Sequence, residues 1–400
     1  MSIKKNIPTS DLDTFKKQLD NPNKSINGKQ QINKLIPIEK NIVISLVSDY
    51  TGCGHIRNIL PSTYINSIFG PSHNMNIITT PVPILDVDIL KRTRTVFFQR
   101  TMGESAIALV EYYKKLQYKY KYKMVYDIDD FIWDGDDDTE EIPEYNFGKD
   151  NLHKVIQDSS ITVMKMMDTV CVTTQFLKDY IHSKGIAYDS IEIVHNTVPS
   201  FLWGSDKKEP ITTDIKKPHI LWSASPTHWN NEKKLYGDMD NAWRTWIIKN
   251  VKAGKIEYTQ MGGLPWFFEE IKDDINVLSW VNSLHYPQTI KNIGADFGIS
   301  PLVPNYFNYS KSAIKYQEYC MSGIVGIGTS FDNGEPSPYD VSVINVSDNI
   351  TEDEIDDLIF NRLCKADTYN DIINKQYEQI INNDWITESA GYINLLRKIL

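Results

Sequence analysis

Along this chain, short runs of apolar residues alternate with longer stretches in which apolar and polar positions mix, and the whole pattern occurs twice. In the first half, the runs at 41–47 (NIVISLV), 76–80 (NIITT), 95–99 (TVFFQ), 123–128 (KMVYDI), 169–174 (TVCVTT) and 190–196 (SIEIVHN) predict strands. Stretches near 55–69, 103–118, 150–167 and 175–185 predict helices between them. Apolar strands alternating with helices are what a parallel sheet covered on both faces requires. A polar stretch rich in proline and lysine, 199–218, reads as a linker. The alternation then restarts, with strands predicted at 219–225 (HILWSAS), 256–262 (IEYTQMG), 275–281 (INVLSWV), 296–302 (DFGISPL), 323–329 (GIVGIGT) and 341–346 (VSVINV).

The expectation is therefore an α/β chain of two Rossmann-like domains facing across a cleft, at 41–205 and 218–366, joined by a linker at 206–217. A polar extension, 1–40, carries eight lysines against four acids; helices in 367–400 are expected to cross back to the first domain. In such sheets ligands sit outside the strand C-termini, so a chemical group found just after a strand points into the cleft.

Composition agrees with two soluble domains: 400 residues, 41% hydrophobic and 24% charged. No apolar run approaches membrane-spanning length and the start lacks the apolar stretch of a signal peptide. Cys53, Cys171, Cys320 and Cys364 stand far apart, without zinc or redox spacing, which predicts reduced thiols in a cytoplasm. The net charge of −10 is concentrated: eleven acids and a single lysine lie in 127–150, and the remainder is formally neutral. That remainder holds YYKKLQYKYKYK at 112–123, where Lys119 and Lys121 alternate with tyrosines. Such a stripe can lie along phosphates with rings stacking, or it can be the solvated end of a helix.

The segment 299–323, ISPLVPNYFNYSKSAIKYQEYCMSG, carries the most chemistry. Read as a helix with Ser310 as N-cap and Gly323 as its stop, it places Lys311, Lys315 and Glu318 on one face at i, i+4 and i+7. Cations in the first turns oppose the helix dipole unless an anion sits between them, and a phosphate is the economical choice. The alternative is a solvated stripe in which Lys315 pairs with a nearby acid.

The run 275–323 resembles the nucleotide-sugar half of GT-B glycosyltransferases, in the group with the pattern PL-x(n)-FN-x-x-KS-x-x-K-x-x-E common among phage and bacterial enzymes. SDYTGCGHIRNILP, VYDIDDFIWD, IPEYN, VCVTTQFLKDYI, IEIVHNTV and ILWSASPTH are similar to further landmarks, so the resemblance covers about 41–330. It implies that the second domain binds a nucleoside-diphosphate sugar, UDP-linked, and the first domain the acceptor. Asn308, Lys311 and Ser312 would meet the donor, with Lys311 on its pyrophosphate. Glu318 would bind the ribose hydroxyls, backed by Lys315. Ser225, Thr227 and His228 would offer a phosphate-binding turn, and Trp280 and Val281 would line the base, although Trp280 by itself reads better as a core residue. Retaining members often carry a glutamate eight positions before the one matched here by Glu318, where this chain has Ser310.

In the first domain, Gly52 and Gly54 would let the backbone approach the donor. Arg57 would reach its phosphates and stabilise the departing diphosphate; His55, Arg100 and Asp127 are acceptor-side candidates. Asp129 or Asp130 would take the proton from the acceptor hydroxyl. A metal site is the rival for these acids, because D-x-D recurs at 127/129 and at 134/136/138, but the second run lacks the glycine and distal glutamate of a calcium loop. The expectation is a transferase with no resident cofactor and no metal, acting in the cytoplasm, that of the host if phage-encoded. The expected acceptor is hydroxymethylated cytosine in phage DNA. A cell-surface glycan or lipid-linked sugar is the alternative, and a non-catalytic sugar-nucleotide- or DNA-binding protein is the alternative of another class.

Overall fold

The computed structural model describes residues 40–50, 52–68, 75–133, 151–204, 207–382 and 395. The polar extension, the acidic stretch 134–150 with its second D-x-D run, and IPEYN lie outside these residues.

All twelve predicted strands form, in two parallel sheets. The first contains β1 (Ile42–Leu46), β2 (Asn76–Thr80), β3 (Thr93–Gln99), β4 (Lys123–Asp127), β5 (Thr169–Val172) and β6 (Ile191–Ile193), in the order β2-β1-β3-β4-β5-β6. The second contains β7 (His219–Ser223), β8 (Glu257–Met261), β9 (Asn276–Leu278), β10 (Phe297–Ser300), β11 (Val325–Ser330) and β12 (Ile344–Ser347), in the order β12-β11-β10-β7-β8-β9. Successive strand residues point to opposite faces. Ile42, Ile44, Val96, Phe98, Met124 and Tyr126 therefore enter one core layer, while Val43, Phe97, Val125 and Cys171 enter the layer on the other side. Both faces are covered, which is why these strands are apolar at nearly every position.

In the first domain, three contiguous helical segments, Gly52–Gly54, His55–Ile59 and Leu60–Ile68, form α1. Then come α2 (Val87–Arg92), α3 (Glu104–Tyr120), α4 (Asn151–Met164) and α5 (Gln175–Ser183). The short α2 went unpredicted; Asp86 caps it by accepting from the N–H groups of Asp88 and Ile89.

The expected linker is not a free tether. Residues Ser200–Trp203 make a helical turn with Trp203 buried, and Ile211 and Ile215 pack against the second core. The N–H of Ile211 donates to Asn370 Oδ1 at 2.9 Å and that of Ile215 to the Cys364 carbonyl at 2.8 Å.

The second domain adds α6 (Asn241–Lys252), α7 (Tyr286–Ile293), α8 (Tyr306–Tyr309), α9 (Ile314–Met321) and α10 (Ala366–Asn382). Helix α9 lies close on its sheet. A Cβ on Gly298 would come within 2.5 Å of the Tyr319 ring, and one on Gly326 within 2.7 Å of Tyr316. Helix α10 packs on this same domain, where Gln376 bonds the N–H and carbonyl of Gly326. Leu395, further along the tail, is buried with Val43, Ile65, Phe97 and Val125 of the first domain.

The expected single helix starting at Ser310 is instead two. Asn305 caps α8 by accepting from the Asn308 N–H, Ser310 ends α8, and α9 begins at Ile314. Chemistry at Ser310 explains the break, because its side chain and backbone serve the other domain. Ser310 is completely buried; its Oγ accepts from the Phe131 N–H at 3.2 Å and donates to the Phe307 carbonyl at 2.7 Å, and its carbonyl accepts from Thr174 Oγ1 at 3.1 Å. Phe307 joins the first-domain core, and Tyr306 packs its ring against Phe131 and Phe176 at 5.5 and 5.6 Å. The two domains are thus joined by α8 at the C-terminal ends of both sheets.

Candidate active site

The donor side is built on α9 and α7. Lys315 Nζ lies 2.9 Å from Glu318 Oε2 and 3.0 Å from the Tyr286 hydroxyl, which itself donates to Glu318 Oε2 at 3.0 Å. Ser223 Oγ closes the group at 2.7 Å from the same hydroxyl. Burial presses against the Lys315 ammonium, but the Glu318 carboxylate outweighs it and holds the amine above its ordinary pKa. Lys315 therefore pairs with an acid, as the bland sequence reading allowed, and that pair fixes the Glu318 carboxylate beneath an aromatic platform. Trp280 forms it: the ring is 49% exposed and lies nearly parallel to Tyr286, with centroids 6.0 Å apart and planes 25° apart. It is not a core residue. Val281 beside it is partly buried.

Lys311 precedes α9 rather than opening it. Its Nζ is 3.7 Å from Asp238 Oδ2, and burial, only partly offset by Asp238, holds the amine below its ordinary pKa. Asp238 is fully buried, accepting from His228 at 2.7 Å and from Asn308 Nδ2 at 2.7 Å. Asn308 has no exposed surface, so it supports Asp238 and does not reach a ligand. Ser312 Oγ accepts from Asn196 Nδ2 at 3.0 Å, a further tie to the first domain. After β7, Ser225 is half-buried and Thr227 exposed, their hydroxyls 2.6 Å apart.

The first domain presents a buried anionic cluster after β4. Asp129 is 6% exposed, with Oδ1 unpartnered among the described residues. Burial and then the Asp130 charge push its carboxyl up to about 7, against the pull of Arg100. Arg100 lies 3.3 Å from Asp130 Oδ2 and donates to Cys53 Sγ at 3.1 Å; its φ of 45° is a left-handed conformation unusual for a residue with a side chain. The ligand atoms of Cys53, Asp129 and Asp130 lie within 4.8 Å of one another, close enough to share a cation, and Arg100 already supplies positive charge to two of them. The Phe131 N–H, one residue after Asp130, donates to Ser310 Oγ, one residue before Lys311, so the two groups are held close together.

Arg57 is not at the cleft surface. It is 3% exposed, donating from Nη2 to Asp127 Oδ1 at 2.6 Å, from Nε to Asp127 Oδ2 at 3.2 Å, and from Nη1 to the Val194 carbonyl and Asn196 Oδ1. Asp127, 2% exposed, is its counter-ion, so neither is placed to meet donor or acceptor. His55 is buried as well, and burial lowers its pKa. Gly54 allows a close turn: a Cβ there would lie 1.9 Å from the Asp49 carbonyl oxygen, while Gly52 faces open space.

The lysine stripe is also elsewhere. Helix α3 starts beyond the C-terminal end of β3 and ends before the N-terminal end of β4, so Lys119 and Lys121 lie at the end of the domain remote from the cleft. Their ammoniums sit 5.2 Å from Tyr120 and 4.4 Å from Tyr118, respectively.

Sequence reasoning missed Asp238 and Tyr286. Asp238 follows Gly237 (φ 63°), which closes the loop back onto the His228 carbonyl; only the loop's closure brings it to His228.

The fold has counterparts among solved structures. A glycosyltransferase from Rickettsia africae ESF-5 superposes with a TM-score of 0.57 at 12% identity, over 90% of this chain and 98% of that one. Anabaena HepE in complex with UDP and glucose gives 0.56 at 10%, over 90% and 100%; its UDP-glucose complex gives 0.54 at 10%, over 89% and 99%. This chain has the GT-B fold. No protein-family model and no curated protein sequence matches it. Trp280, Tyr286, Lys315 and Glu318 stand beyond the C-terminal ends of the second sheet's strands, and Asp129, Asp130 and Arg100 beyond those of the first.

Proposed function

We propose that this chain is a glycosyltransferase that moves a sugar from a nucleoside diphosphate, UDP by preference, to a hydroxyl acceptor. The observation that carries this reading is the group Trp280, Tyr286, Lys315 and Glu318: a half-exposed ring for a base beside a fixed carboxylate for the two ribose hydroxyls. Lys311 and His228 stand next in line, where a diphosphate attached to that ribose would lie. That HepE was crystallised with UDP and with UDP-glucose on the same fold supports the choice of donor.

In the transfer, the acceptor oxygen bonds to the anomeric carbon as the bond from that carbon to the diphosphate oxygen breaks. The electron pair leaves with the diphosphate, and the acceptor proton passes to Asp129. A carboxylate pushed up to about 7 is well matched to that task near neutral pH. Lys311 and Arg100 balance the charge developing on the leaving group. Ser310, buried and bonded to Phe131 and Phe307, contributes nothing to the sugar.

The expectation of a DNA acceptor drew on the resemblance to phage enzymes, the lack of a membrane-seeking segment and the lysine stripe; the stripe lies at the far end of its domain, so the acceptor is proposed here only as a hydroxyl. Incubation with labelled UDP-sugars and a panel of acceptors, hydroxymethylcytosine DNA and glycans among them, tests the reading. Transfer of label is expected. Tight binding of UDP without transfer or hydrolysis under any donor would leave a binding protein in place of an enzyme.

A further inference from the structure

Asp238 has no role in the reading above, yet it is the most completely enclosed charge near the cleft. It sits at the end of a loop pinned by the bridge between Asn230 and Leu235, and its own N–H donates to the His228 carbonyl at 3.0 Å. Its Oδ1 accepts from Asn308 and its Oδ2 from His228 Nδ1, with Lys311 Nζ 3.7 Å from the latter oxygen. A carboxylate bonded to Nδ1 fixes the proton of a neutral imidazole on that nitrogen, leaving Nε2 as a lone-pair acceptor. The His228 side chain is 21% exposed.

We propose that Asp238 is a positioning residue for the diphosphate: it holds His228 with Nε2 bare, and His228 takes one proton from solvent onto Nε2 as the diphosphate enters, becoming a cation beside Lys311. This rests on the donor reading given above. The proton comes from water or buffer, and no covalent bond of the donor is made or broken in the step. The charged groups facing His228 are Asp238, Lys311 and Lys315, with the Trp222 ring on a further side. Burial and then Lys311 keep the imidazole below its ordinary pKa without a ligand, so it enters neutral. A diphosphate reverses the balance by cancelling the lysines. Asp238 remains anionic throughout: burial works to raise its pKa, but Lys311, His228 and Asn308 together hold it below the ordinary carboxylate value. Before the donor arrives, the same carboxylate keeps Lys311 and His228 gathered at one point.

The test is calorimetric titration of the full chain with UDP at pH 7.5, where the terminal phosphate of UDP is largely ionised, in two buffers of different ionisation enthalpy. The expected result is uptake of about half to one proton per UDP bound, with affinity rising as pH falls toward 6.5. His228→Gln should still bind UDP, with proton uptake lost and the pH slope reduced to that of UDP itself. Asp238→Asn should weaken UDP binding about tenfold and diminish uptake, because the tautomer is no longer enforced. If Asp238→Asn does not fold, His228→Gln alone decides. Binding of UDP by the unaltered chain with no buffer-dependent heat overturns this inference and leaves the donor reading standing. Failure to bind any nucleoside diphosphate removes the donor reading and this inference with it.

Discussion

The hydroxyl of Ser310 accepts a hydrogen bond from the backbone N–H of Phe131 at 3.2 Å, although the two residues are 179 positions apart. Phe131 directly follows Asp129 and Asp130, and Ser310 directly precedes Lys311. One residue therefore sets the spacing between the proposed base and the proposed phosphate ligand. Ser310→Ala should leave the buried Phe131 N–H unpaired and lower stability by about 1–3 kcal/mol in urea unfolding. The affinity for UDP should stay within about threefold, since the hydroxyl does not face the donor. A UDP affinity that falls as steeply as that of a Lys311 variant would contradict this placement.

Trp280 gives the opposite signature. The ring is half exposed, so Trp280→Ala should change stability by no more than about 0.5 kcal/mol. Loss of a base–aromatic stack worth about 1–3 kcal/mol should weaken UDP about tenfold. Titration monitored by intrinsic fluorescence alongside a thermal melt reads both quantities.

The raised carboxyl of Asp129 predicts a pH dependence with a definite sign. The folded chain holds this proton more tightly than the unfolded one, from an ordinary value of 3.8 up to about 7. Its contribution to stability is thus present below the ordinary value and is lost as pH rises toward 7. Activity runs the other way, because only the ionised form accepts a proton, so kcat/KM should rise through about 7 on its acid limb. Asp129→Asn should lower kcat by about 10²–10⁴ while making the fold more stable than the parent at pH 8. A variant that loses stability at pH 8, or retains full turnover, refutes the assignment.

Arg57 and Asp127 form a buried pair that should be structural. Arg57→Met or Asp127→Asn alone should cost about 3–5 kcal/mol, because each leaves an uncompensated buried group. Replacing both together by apolar residues should recover much of that loss, and the folded fraction should keep kcat within about threefold. Denaturant curves and active-site-normalised rates on the three variants separate this from a direct part in catalysis.

Lys119 and Lys121 stand apart from the cleft. Reversing both charges with glutamate should leave transfer to any acceptor within about twofold, as expected of surface substitutions remote from a site. A transfer rate to DNA that collapses in this variant and falls steeply with salt would restore the stripe as a phosphate contact.

Much of this fold could be read directly from the chain, and the reasons are local. Parallel strands covered on both faces must be apolar throughout, so runs such as 41–47 and 123–128 announce themselves without help from distant residues. Strand C-termini then mark where a ligand is to be sought, and Lys311, Lys315 and Glu318 come after one of them, that of β10. What escaped was every feature decided by a distant partner. Arg57 looked like a cleft residue because nothing near it in sequence shows that Asp127, 70 positions on, takes its guanidinium. Ser310 looked like a cap because its neighbours suit one, whereas its bonds belong to the other domain. Asp238 was silent because its carboxylate becomes significant only once a loop brings it against His228.

Helix α9 rests on two bare places in the sheet below it. Most strand positions raise a side chain toward the helix above; Gly298 and Gly326 raise none, and the rings of Tyr319 and Tyr316 come down into the gaps like feet. Tyr319 is also anchored through its hydroxyl to the Ser223 N–H and the Ile299 carbonyl. A single methyl group at position 298, out of reach of any nucleotide, would tilt the helix and carry Lys315 and Glu318 away from their places together. The height of the proposed nucleotide seat is set from underneath, by two residues that have no side chain to touch a ligand.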